Sequence, residues 1–280
     1  MKIIKDALAM QRAAFAEKQA GKTVGLVPTM GALHEGHLSL IRQARRENDR
    51  VVVSIFVNPA QFGPKEDLKK YPRPLKKDLA LCRKEGVDYL FHPSPEMMYP
   101  QGYRTFVEVE GLSGLLCGRS RPGHFRGVAT VVLKLFNLAL PDTAYFGKKD
   151  FQQAVVIKRM AADLNLPVKI KALPIIREAS GLALSSRNKY LKGKERASAL
   201  VLNRALLLAK MLIRGGLREP KRLESRIKML IEKEKQAKID YIEIVDRATL
   251  EPVKKISAGT LVALAVQIGK TRLIDNMEAL

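Results

Sequence analysis

The stretch VPTMGALHEGHLSLI, residues 27–41, joins a short buried strand predicted over Thr23–Val27 to a helix predicted over Gly36–Glu47. A strand that leads directly into a helix is the repeating unit of open α/β sheets, which bind ligands at the carboxyl ends of their strands. A helix N-terminus also presents free N–H groups and a partial positive charge to anions. The stretch therefore predicts an anion-binding turn at the edge of a parallel sheet.

Two histidines occupy this turn. His34 and His37 lie three residues apart, which places both imidazoles on one face of the first helical turn. They can donate hydrogen bonds to phosphate oxygens and, if protonated, neutralise charge that develops there. Gly36 leaves room for an adenine or a ribose close to the backbone. We interpret the tetrapeptide as a nucleotide-binding turn; the alternative is a polar helix surface without a function.

Other motifs fit this sequence less well. A zinc protease needs H-E-x-x-H, with histidines four residues apart, and only two further histidines occur in the chain. The end of a Walker loop, glycine-lysine-threonine, occurs at residues 21–23 and 269–271. Ala16 and Leu264 stand where the first glycine of that loop is required. No Rossmann dinucleotide fingerprint follows the first strand, and no metal site built from protein ligands is predicted.

Strand-like and helix-like segments alternate along the first two-thirds of the chain. The most apolar of them is Val51–Val57, VVVSIFV, as expected of a strand covered on both faces. The other predicted strands are Asp88–Phe91, Phe106–Val109, Thr143–Phe146 and Val168–Leu173, and the other predicted helices are Pro74–Glu85, His124–Leu140 and Asp150–Asn165. This order predicts a doubly wound, Rossmann-like α/β domain with a mostly parallel sheet.

The remaining segments follow a different order. Predicted helices Glu195–Arg214 and Glu219–Lys235 are separated by two glycines, and strands are predicted afterwards over Tyr241–Val245, Leu261–Val266 and Arg272–Ile274. Helices followed by adjacent strands predict a smaller α+β domain with an antiparallel sheet. We place the boundary near residue 177, which gives domains of residues 1–177 and 178–280.

Composition and targeting signals indicate a cytoplasmic protein. Hydrophobic residues make up 46% of the 280 residues, enough for a sizeable core without covalent staples. Cys82 and Cys117 cannot form a disulfide framework or a multi-cysteine metal cluster, which favours a reducing compartment. The N-terminus lacks the apolar region of a signal peptide, and no stretch of about 18 apolar residues predicts a membrane span.

The formal net charge of +22 first suggests a nucleic-acid partner. The basic residues, however, are spread through both halves with glutamates between them. Aromatic residues make up 6% and do not alternate with basic ones in the manner of base-stacking proteins. We therefore favour a solvated basic surface, or anionic small substrates, and do not expect nucleic acid as a partner.

The stretch at residues 27–41 is similar to the signature of the pantothenate synthetase (pantoate–β-alanine ligase) family, within the HIGH-motif nucleotidyltransferase superfamily. Four later segments resemble further blocks of that family: SIFVNPAQFGPKEDLKKY (54–71), RPGHFRGVATVV (121–132), YFGKKDFQQ (145–153) and REASGLALSSRN (177–188). The resemblance runs in order over most of residues 24–190, so it is far more specific than the histidine motif alone.

The resemblance implies a reaction in two steps. The carboxylate of pantoate attacks the α-phosphate of ATP and gives pantoyl adenylate and pyrophosphate. The amine of β-alanine then attacks the acyl carbon and gives pantothenate and AMP. The family also implies Mg²⁺ with the nucleotide, a homodimer, and a C-terminal domain that acts as a lid.

The resemblance also implies the site residues. The ATP-binding residues would be Met30, Gly31, Ala32, Leu33, His34, Glu35, Gly36, His37, Gly147, Lys148, Lys149, Asp150, Ile176, Leu184, Ser185, Ser186 and Arg187. Among them, His34, His37, Lys149 and Arg187 would be catalytic. Gln61 and Gln153 would bind pantoate and β-alanine, with Asn58 and Tyr71 as further candidates nearby.

Structural roles remain open for several of these residues. Gln61 also fits an ordinary loop position, and Ser185–Arg187 fits a polar turn before a helix. Asp150 is a natural helix N-cap, and Gln153 three residues later could complete a capping box. In that case the Gln153 amide would not face substrate.

Three positions depart from the usual family pattern. Lys148 stands where the family has glutamate or glutamine, and we expect it to add positive charge near the phosphates. Ser180 replaces an aspartate. Leu184 replaces a methionine, which a backbone contact should tolerate.

Overall fold

The first two-thirds of the chain forms a six-stranded sheet in a computed structural model that describes residues 1–64 and 66–280. The strands are β1 (Lys2–Ile4), β2 (Val24–Thr29), β3 (Arg50–Ile55), β4 (Tyr89–Phe91), β5 (Thr143–Gly147) and β6 (Lys169–Leu173). Their spatial order is β1-β4-β3-β2-β5-β6, and every neighbouring pair is parallel. The predicted doubly wound parallel sheet is confirmed.

Helices cover both faces of this sheet. They are α1 (Ala7–Gln19), α2 (Glu35–Glu47), α3 (Leu75–Lys84), α4 (Pro95–Met98), α5 (Cys117–Ser120), α6 (His124–Ala139) and α7 (Phe151–Asp163). The valines of β3 show why that strand is apolar throughout. Val52 packs into a core cluster with α1, α6 and α7, whereas Val51 and Val53 pack into a second cluster with α2 and α3. Both faces of the strand are therefore buried.

The order of the strands reverses between β2 and β5. From β2 the chain adds β3 and β4 on one side, and β5 and β6 lie on the other side. The two strands pair directly, with Gly25 opposite Thr143 and Leu26 opposite Ala144. A crevice forms outside the carboxyl ends of the strands at such a switch point. The loops that follow Thr29 and Gly147 are consequently neighbours in space.

The rest of the chain forms a smaller α+β unit, as predicted. Its helices are α8 (Lys194–Ala199), α9 (Val201–Arg214) and α10 (Pro220–Ile231), and its strands are β7 (Ala237–Asp246), β8 (Thr260–Ile268) and β9 (Thr271–Glu278). The strands form an antiparallel sheet in the order β7-β8-β9. Helices α9 and α10 cover one face, where Leu206 and Ile227 share an apolar cluster with Leu264.

The strand predicted over Phe106–Val109 is wrong. The Val107 N–H donates to the Thr130 hydroxyl at 2.9 Å, and the Arg126 guanidinium lies 4.2 Å from the centroid of the Phe106 ring. Thr130 and Arg126 both belong to α6. The segment therefore packs on a helix, and its backbone bonds a helix side chain instead of a neighbouring strand.

Two other differences concern helices. The single helix predicted over Glu195–Arg214 is interrupted at Leu200, whose N–H donates to the Ala197 carbonyl in a tightened turn. Strand β1 and helix α1 were not predicted, because β1 has three residues and α1 buries only Met10 and Ala14. None of the described helices is long and apolar enough to cross a membrane.

Candidate active site

A cleft lies at the carboxyl edge of the parallel sheet, between that sheet and the C-terminal strands. It consists of two adjoining cavities of about 210 and 300 Å³. The residues that line both cavities are Arg121, His124, Lys149, Asp150, Gln153, Ser185 and Arg187. Because these residues are shared, the two cavities form one continuous space.

Most of the predicted site residues meet in the smaller cavity. Its lining includes Met30, His34, Gly36, His37, Gln61, Gly147, Lys149, Asp150, Gln153, Ile176, Leu184, Ser185, Ser186 and Arg187, together with Asn58 and Tyr71. Five predicted residues do not line either cavity: Gly31, Ala32, Leu33, Glu35 and Lys148. Glu35 instead pairs with Arg42 on the surface of α2.

The backbone at Ala32 and Leu33 is held by a buried carboxylate. Asp78, on α3, accepts the Ala32 N–H at 2.8 Å and the Leu33 N–H at 2.9 Å, and only 1% of its surface is exposed. Burial raises the pKa of Asp78, and the two N–H donors oppose that shift. These N–H groups are therefore used inside the protein and are not free to bind an anion.

The two histidines cap their own helix. The His34 Nδ1 atom accepts the Gly36 N–H at 3.2 Å, and the His37 Nδ1 atom accepts the His34 N–H at 3.4 Å. The two ring centroids lie 4.1 Å apart. With Nδ1 accepting in both rings, the proton of each neutral imidazole lies on Nε2. The N–H groups of His34 and Gly36 are thus used by the two rings, which offer their Nε2–H groups to an anion in turn.

Their pKa values favour neutral imidazoles at pH 7, so of the two roles that the sequence allows, hydrogen-bond donation fits this site. Burial, with Lys149 nearby, lowers the pKa of His34 to about 4. Burial and the neighbouring His34 lower the pKa of His37 to about 3. A neutral imidazole donates one hydrogen bond from Nε2 and does not attract water as strongly as a cation would. The histidine turn therefore offers oriented N–H dipoles to an anion.

Gly36 is needed for this ring arrangement. A Cβ atom at this position would lie 2.9 Å from Cε1 and 3.0 Å from Nδ1 of His34. A side chain would therefore push the His34 ring off the helix terminus. The requirement for glycine arises here from the imidazole, whereas the sequence suggested that the ligand required it.

Gln61 is oriented by its neighbours, so an ordinary loop role does not describe it. It is 8% exposed, its Oε1 atom accepts the Asn58 amide at 3.1 Å, and its Nε2 atom lies 3.1 Å from the Met30 sulfur. His124 Nδ1 bonds the Gln61 carbonyl at 2.8 Å. At Gly127 a Cβ atom would lie 2.3 Å from the Ala60 carbonyl oxygen, so α6 approaches this turn as closely as a glycine allows.

The loop after β5 places Lys149 and Asp150 in the cleft. Their charged groups are 3.5 Å apart, and the Asp150 side chain is half exposed. Burial alone would raise the pKa of Asp150, but Lys149 and Arg187 hold it below its ordinary value. The capping-box alternative is wrong, because the Asp150 side chain makes no cap hydrogen bond to α7. Gln153 lines the cleft.

Lys148 does not add charge to the cleft, contrary to the expectation from the family pattern. Its ammonium lies 2.5 Å from Oε1 of Glu278, on β9. The same carboxylate lies 3.0 Å from Arg247. The positive charge at position 148 is therefore balanced by the C-terminal sheet.

The segment Ser185–Arg187 closes the cleft on another side. The Ser185 hydroxyl accepts the Arg187 N–H at 3.2 Å, and the Ser186 and Tyr71 hydroxyls are 2.9 Å apart. Arg187 binds both carboxylate oxygens of Asp67, at 2.8 and 3.1 Å. The polar-turn description is therefore incomplete, because the turn carries a fixed guanidinium into the cleft.

The two other departures lie around this segment. The Leu184 N–H donates to the Ile176 carbonyl at 3.0 Å, so the leucine keeps the hairpin closed through its backbone. Ser180 is exposed, with its hydroxyl 3.5 Å from Glu178, and it does not line either cavity.

Two residues of the cleft architecture were missed in the sequence. Asp78 lies on the buried stripe of α3 that also contains Cys82. An acidic residue at helical spacing among apolar ones is a signal that could have found it. Asn276, on β9, bonds the backbone of Lys148 and Lys149, and no sequence pattern marks it.

This fold and cleft define an α/β enzyme whose histidine turn, lysine loop and serine–arginine turn meet at a topological switch point. The sequence model of the family described as pantoate-beta-alanine ligase matches residues 2–278, and the chain belongs to that family of ligases. The expected family resemblance is confirmed.

Similar proteins agree over the full length. The pantothenate synthetase of Sulfurihydrogenibium sp. (strain YO3AOP1) is 55% identical over 279 residues, which cover 99% of this chain and 100% of the relative. A crystal structure of pantothenate synthetase from Thermus thermophilus has a TM-score of 0.95 and 46% identity, and covers 100% of this chain and 99% of its own.

A ligand complex is also similar. The pantoate-beta-alanine ligase of Francisella tularensis, complexed with Beta-gamma ATP and beta-alanine, is 38% identical with a TM-score of 0.82. The match covers 100% of this chain and 98% of that one.

Proposed function

We propose that this chain condenses pantoate with β-alanine to pantothenate, using ATP and passing through pantoyl adenylate. The observation that carries the proposal is the single cleft that joins the histidine turn, Lys149 and Arg187 to the two amides Gln61 and Gln153. Family membership and the ligands of the Francisella tularensis ligase support the choice of substrates.

The pantoate end of the cleft has an apolar wall and polar amides. Val128, Val131 and Leu135 on α6 line it together with Phe56 and Phe146. Such a wall suits a branched aliphatic acid, because it buries methyl groups that water would otherwise surround. The amides of Gln61 and Gln153 can bind a hydroxyl and a carboxylate without adding charge.

In the first step, a pantoate carboxylate oxygen attacks the α-phosphorus of ATP. The bond from that phosphorus to the bridging oxygen breaks, and pyrophosphate leaves with the electron pair. His34 and His37 donate Nε2–H bonds to the phosphate oxygens as charge develops on them. Lys149 acts as a point charge between the two anions, and Arg187 holds the departing phosphates through its guanidinium.

In the second step, the amine of β-alanine attacks the acyl carbon of the adenylate. The bond from that carbon to the phosphate oxygen breaks, AMP leaves, and the nitrogen gives up its proton to solvent water or to the phosphate of the departing AMP. The histidines cannot accept this proton at Nδ1, because both Nδ1 atoms already accept backbone N–H groups. Their proposed role is therefore to stabilise the AMP leaving group and not to act as bases.

Mg²⁺ fits this cleft as a partner of the nucleotide. Among the described residues no group of three or more potential ligand side chains is close enough to form a protein cage. Mg²⁺ is commonly held by substrate phosphates with one or two carboxylates. Asp150, half exposed beside Lys149, is the carboxylate that can serve. When bound there, the ion would neutralise charge on the phosphates.

An isotope experiment tests the proposal. Pantoate that carries ¹⁸O in its carboxylate, mixed with ATP, β-alanine and Mg²⁺, should give pantothenate and AMP that contains one ¹⁸O. Transfer of the label requires an acyl–phosphate oxygen bond at the α-phosphorus. Formation of ADP, or a product that retains the nucleotide, would contradict the proposal. ATP turnover that is equal without pantoate would contradict it as well.

The homodimer, the cytoplasmic location and the division into residues 1–177 and 178–280 are parts of the same proposal. The first rests on the family resemblance. Sedimentation equilibrium at micromolar concentration would test it, and a monomer would contradict it.

A further inference from the structure

Strand β9 of the C-terminal sheet contacts the loop that follows β5 of the parallel sheet. Three of its last residues, Asp275, Asn276 and Glu278, bond residues that precede the C-terminal helices in sequence. Asp275 and Asn276 are 3% and 7% exposed, so these contacts are shielded from water.

Asn276 makes the most specific of these contacts. Its Nδ2 atom donates to the carbonyl of Lys148 at 2.9 Å and to the carbonyl of Lys149 at 3.0 Å. Those two carbonyls flank the Cα atom of Lys149. A single amide therefore holds the peptide plane on each side of this Cα and fixes the direction of its Cα–Cβ bond.

Two ion pairs support the amide. The Lys148 ammonium bonds Glu278, two residues after Asn276. On its other side, Asp275 accepts both Nη groups of Arg177 at 2.6 and 2.8 Å. Arg177 also donates to the Gly181 carbonyl at 3.1 Å, in the hairpin that precedes Ser185. The loop is thus fixed to β9 through its adjacent residues Lys148 and Lys149. Strand β9 is in turn fixed to Arg177, at the boundary between the two units.

We propose that Asn276 is a positioning residue that aims the Lys149 ammonium into the cleft. The C-terminal sheet thereby sets the orientation of a side chain that belongs to the parallel-sheet unit. The inference rests on the proposed function for the identity of the anions that Lys149 meets. The positioning of Lys149 by Asn276 does not depend on which anions these are.

A double-mutant cycle tests the inference. The variants are Asn276→Asp, Lys149→Met and the two combined. Aspartate keeps the size of the side chain but cannot donate when ionised, so it leaves both carbonyls without their partner. We expect Asn276→Asp to lower the rate of adenylate formation by about 10- to 100-fold, as misplacement by about 1 Å can do.

The cycle gives a result that a merely structural role would not give. If Asn276 acts through Lys149, the combined variant is no slower than Lys149→Met alone. Effects that multiply would overturn the inference, since Asn276 would then act by another route. Unchanged rates in Asn276→Asp would overturn it too. If the Asn276→Asp variant does not fold, the same cycle is measured with Asn276→Ala.

A control and a second readout separate this inference from the proposed function. Gln267→Glu makes the same amide-to-carboxylate change at an exposed position of the same sheet, and its rate should equal that of the wild type. The ATP dissociation constants of the wild type and of all variants in the cycle are also measured by calorimetry. If the wild type binds ATP but makes no pantothenate, the proposed function fails, and non-additive dissociation constants still support the positioning role.

Discussion

The two loops that face each other across the switch point are held in different ways. The turn that carries His34 and His37 is fixed within the parallel-sheet unit, by the buried Asp78 and by the histidines themselves. The loop that carries Lys149 is fixed from outside that unit, by Asn276. A movement of β9 therefore changes the second loop and leaves the first unchanged.

The two loops therefore have different roles in the cleft. The neutral donors of the self-supported turn keep their geometry through contacts that do not involve the C-terminal sheet. A cation on a loop supported by the other sheet takes its working position only when the two units are correctly docked. The C-terminal sheet, which offers no evident reactive group in its sequence, controls the placement of a charge.

The largest effect is expected from His37→Ala. Loss of a preorganised donor to the developing charge should lower turnover by about 10²–10³-fold. The variant should still fold. The midpoint of its urea unfolding should fall by no more than the loss of one helix-capping hydrogen bond explains. Near-normal turnover would remove His37 from the mechanism and leave the phosphate chemistry to His34, Lys149 and Arg187.

Asp78→Ala should break the self-supported turn. It leaves the N–H groups of Ala32 and Leu33 buried without an acceptor, at a cost of about 1–3 kcal/mol each. We expect a matching drop in the free energy of unfolding and a turnover that falls by about tenfold or more. The control is Asp163→Ala, which removes an exposed carboxylate paired with Arg159. Equal losses in the two variants would contradict the role of Asp78.

Acid should weaken the histidine turn before the lysine loop. Because the pKa values of His34 and His37 are about 4 and 3 in the folded state, the unfolded state binds more protons below its ordinary imidazole pKa. The free energy of unfolding should therefore fall as the pH decreases from about 6.5 towards 4. The fall should be shallower in His37→Gln, measured by urea titration at each pH. Identical slopes would contradict neutral histidines in the native state.

The smallest effect is expected from the ion pair beside the lysine loop. Lys148→Glu places two carboxylates together at Glu278, but this pair is partly exposed, so the change should cost about 1 kcal/mol or less. The ATP dissociation constant should rise by up to about fivefold, and adding Glu278→Lys should partly reverse the rise. Arg159→Glu is the control, because it breaks an exposed pair on α7 that does not line either cavity. If the double variant does not lower the ATP dissociation constant again, the ion pair between Lys148 and Glu278 does not support the loop at Lys149.

Much of the fold was predictable because its signals are local. The apolar run of β3 and the helical spacing of α6 and α9 depend on residues within one element, and these three elements pack as their patterns require. Short or weakly patterned elements such as β1 and α1 gave no such signal. At Phe106–Val109 the local β propensity was overridden by contacts with α6.

The sequence predicted which residues meet in the cleft much better than it predicted the contacts that these residues make. Short motifs identified His34, Lys149 and Arg187, because each lies in a stretch typical of the family. The partners of these residues come from distant parts of the sequence. Asp67 lies 120 residues from Arg187, and Asn276 lies 127 from Lys149. No pattern within one element can reveal such pairs, or the resulting neutralisation of Lys148.

The bond between Asn276 and the lysine loop also sets an order of events in time. It closes a chain segment of 127 residues, and contacts of large sequence separation form late because closing a long loop carries an entropic cost. The histidine turn and Asp78 are separated by only 45 or 46 residues. We therefore expect a folding chain to form the contacts of the histidine turn before those of Asn276. Opening of β9 on heating would remove the amide that holds the lysine loop, whereas the contacts of the histidine turn do not involve β9.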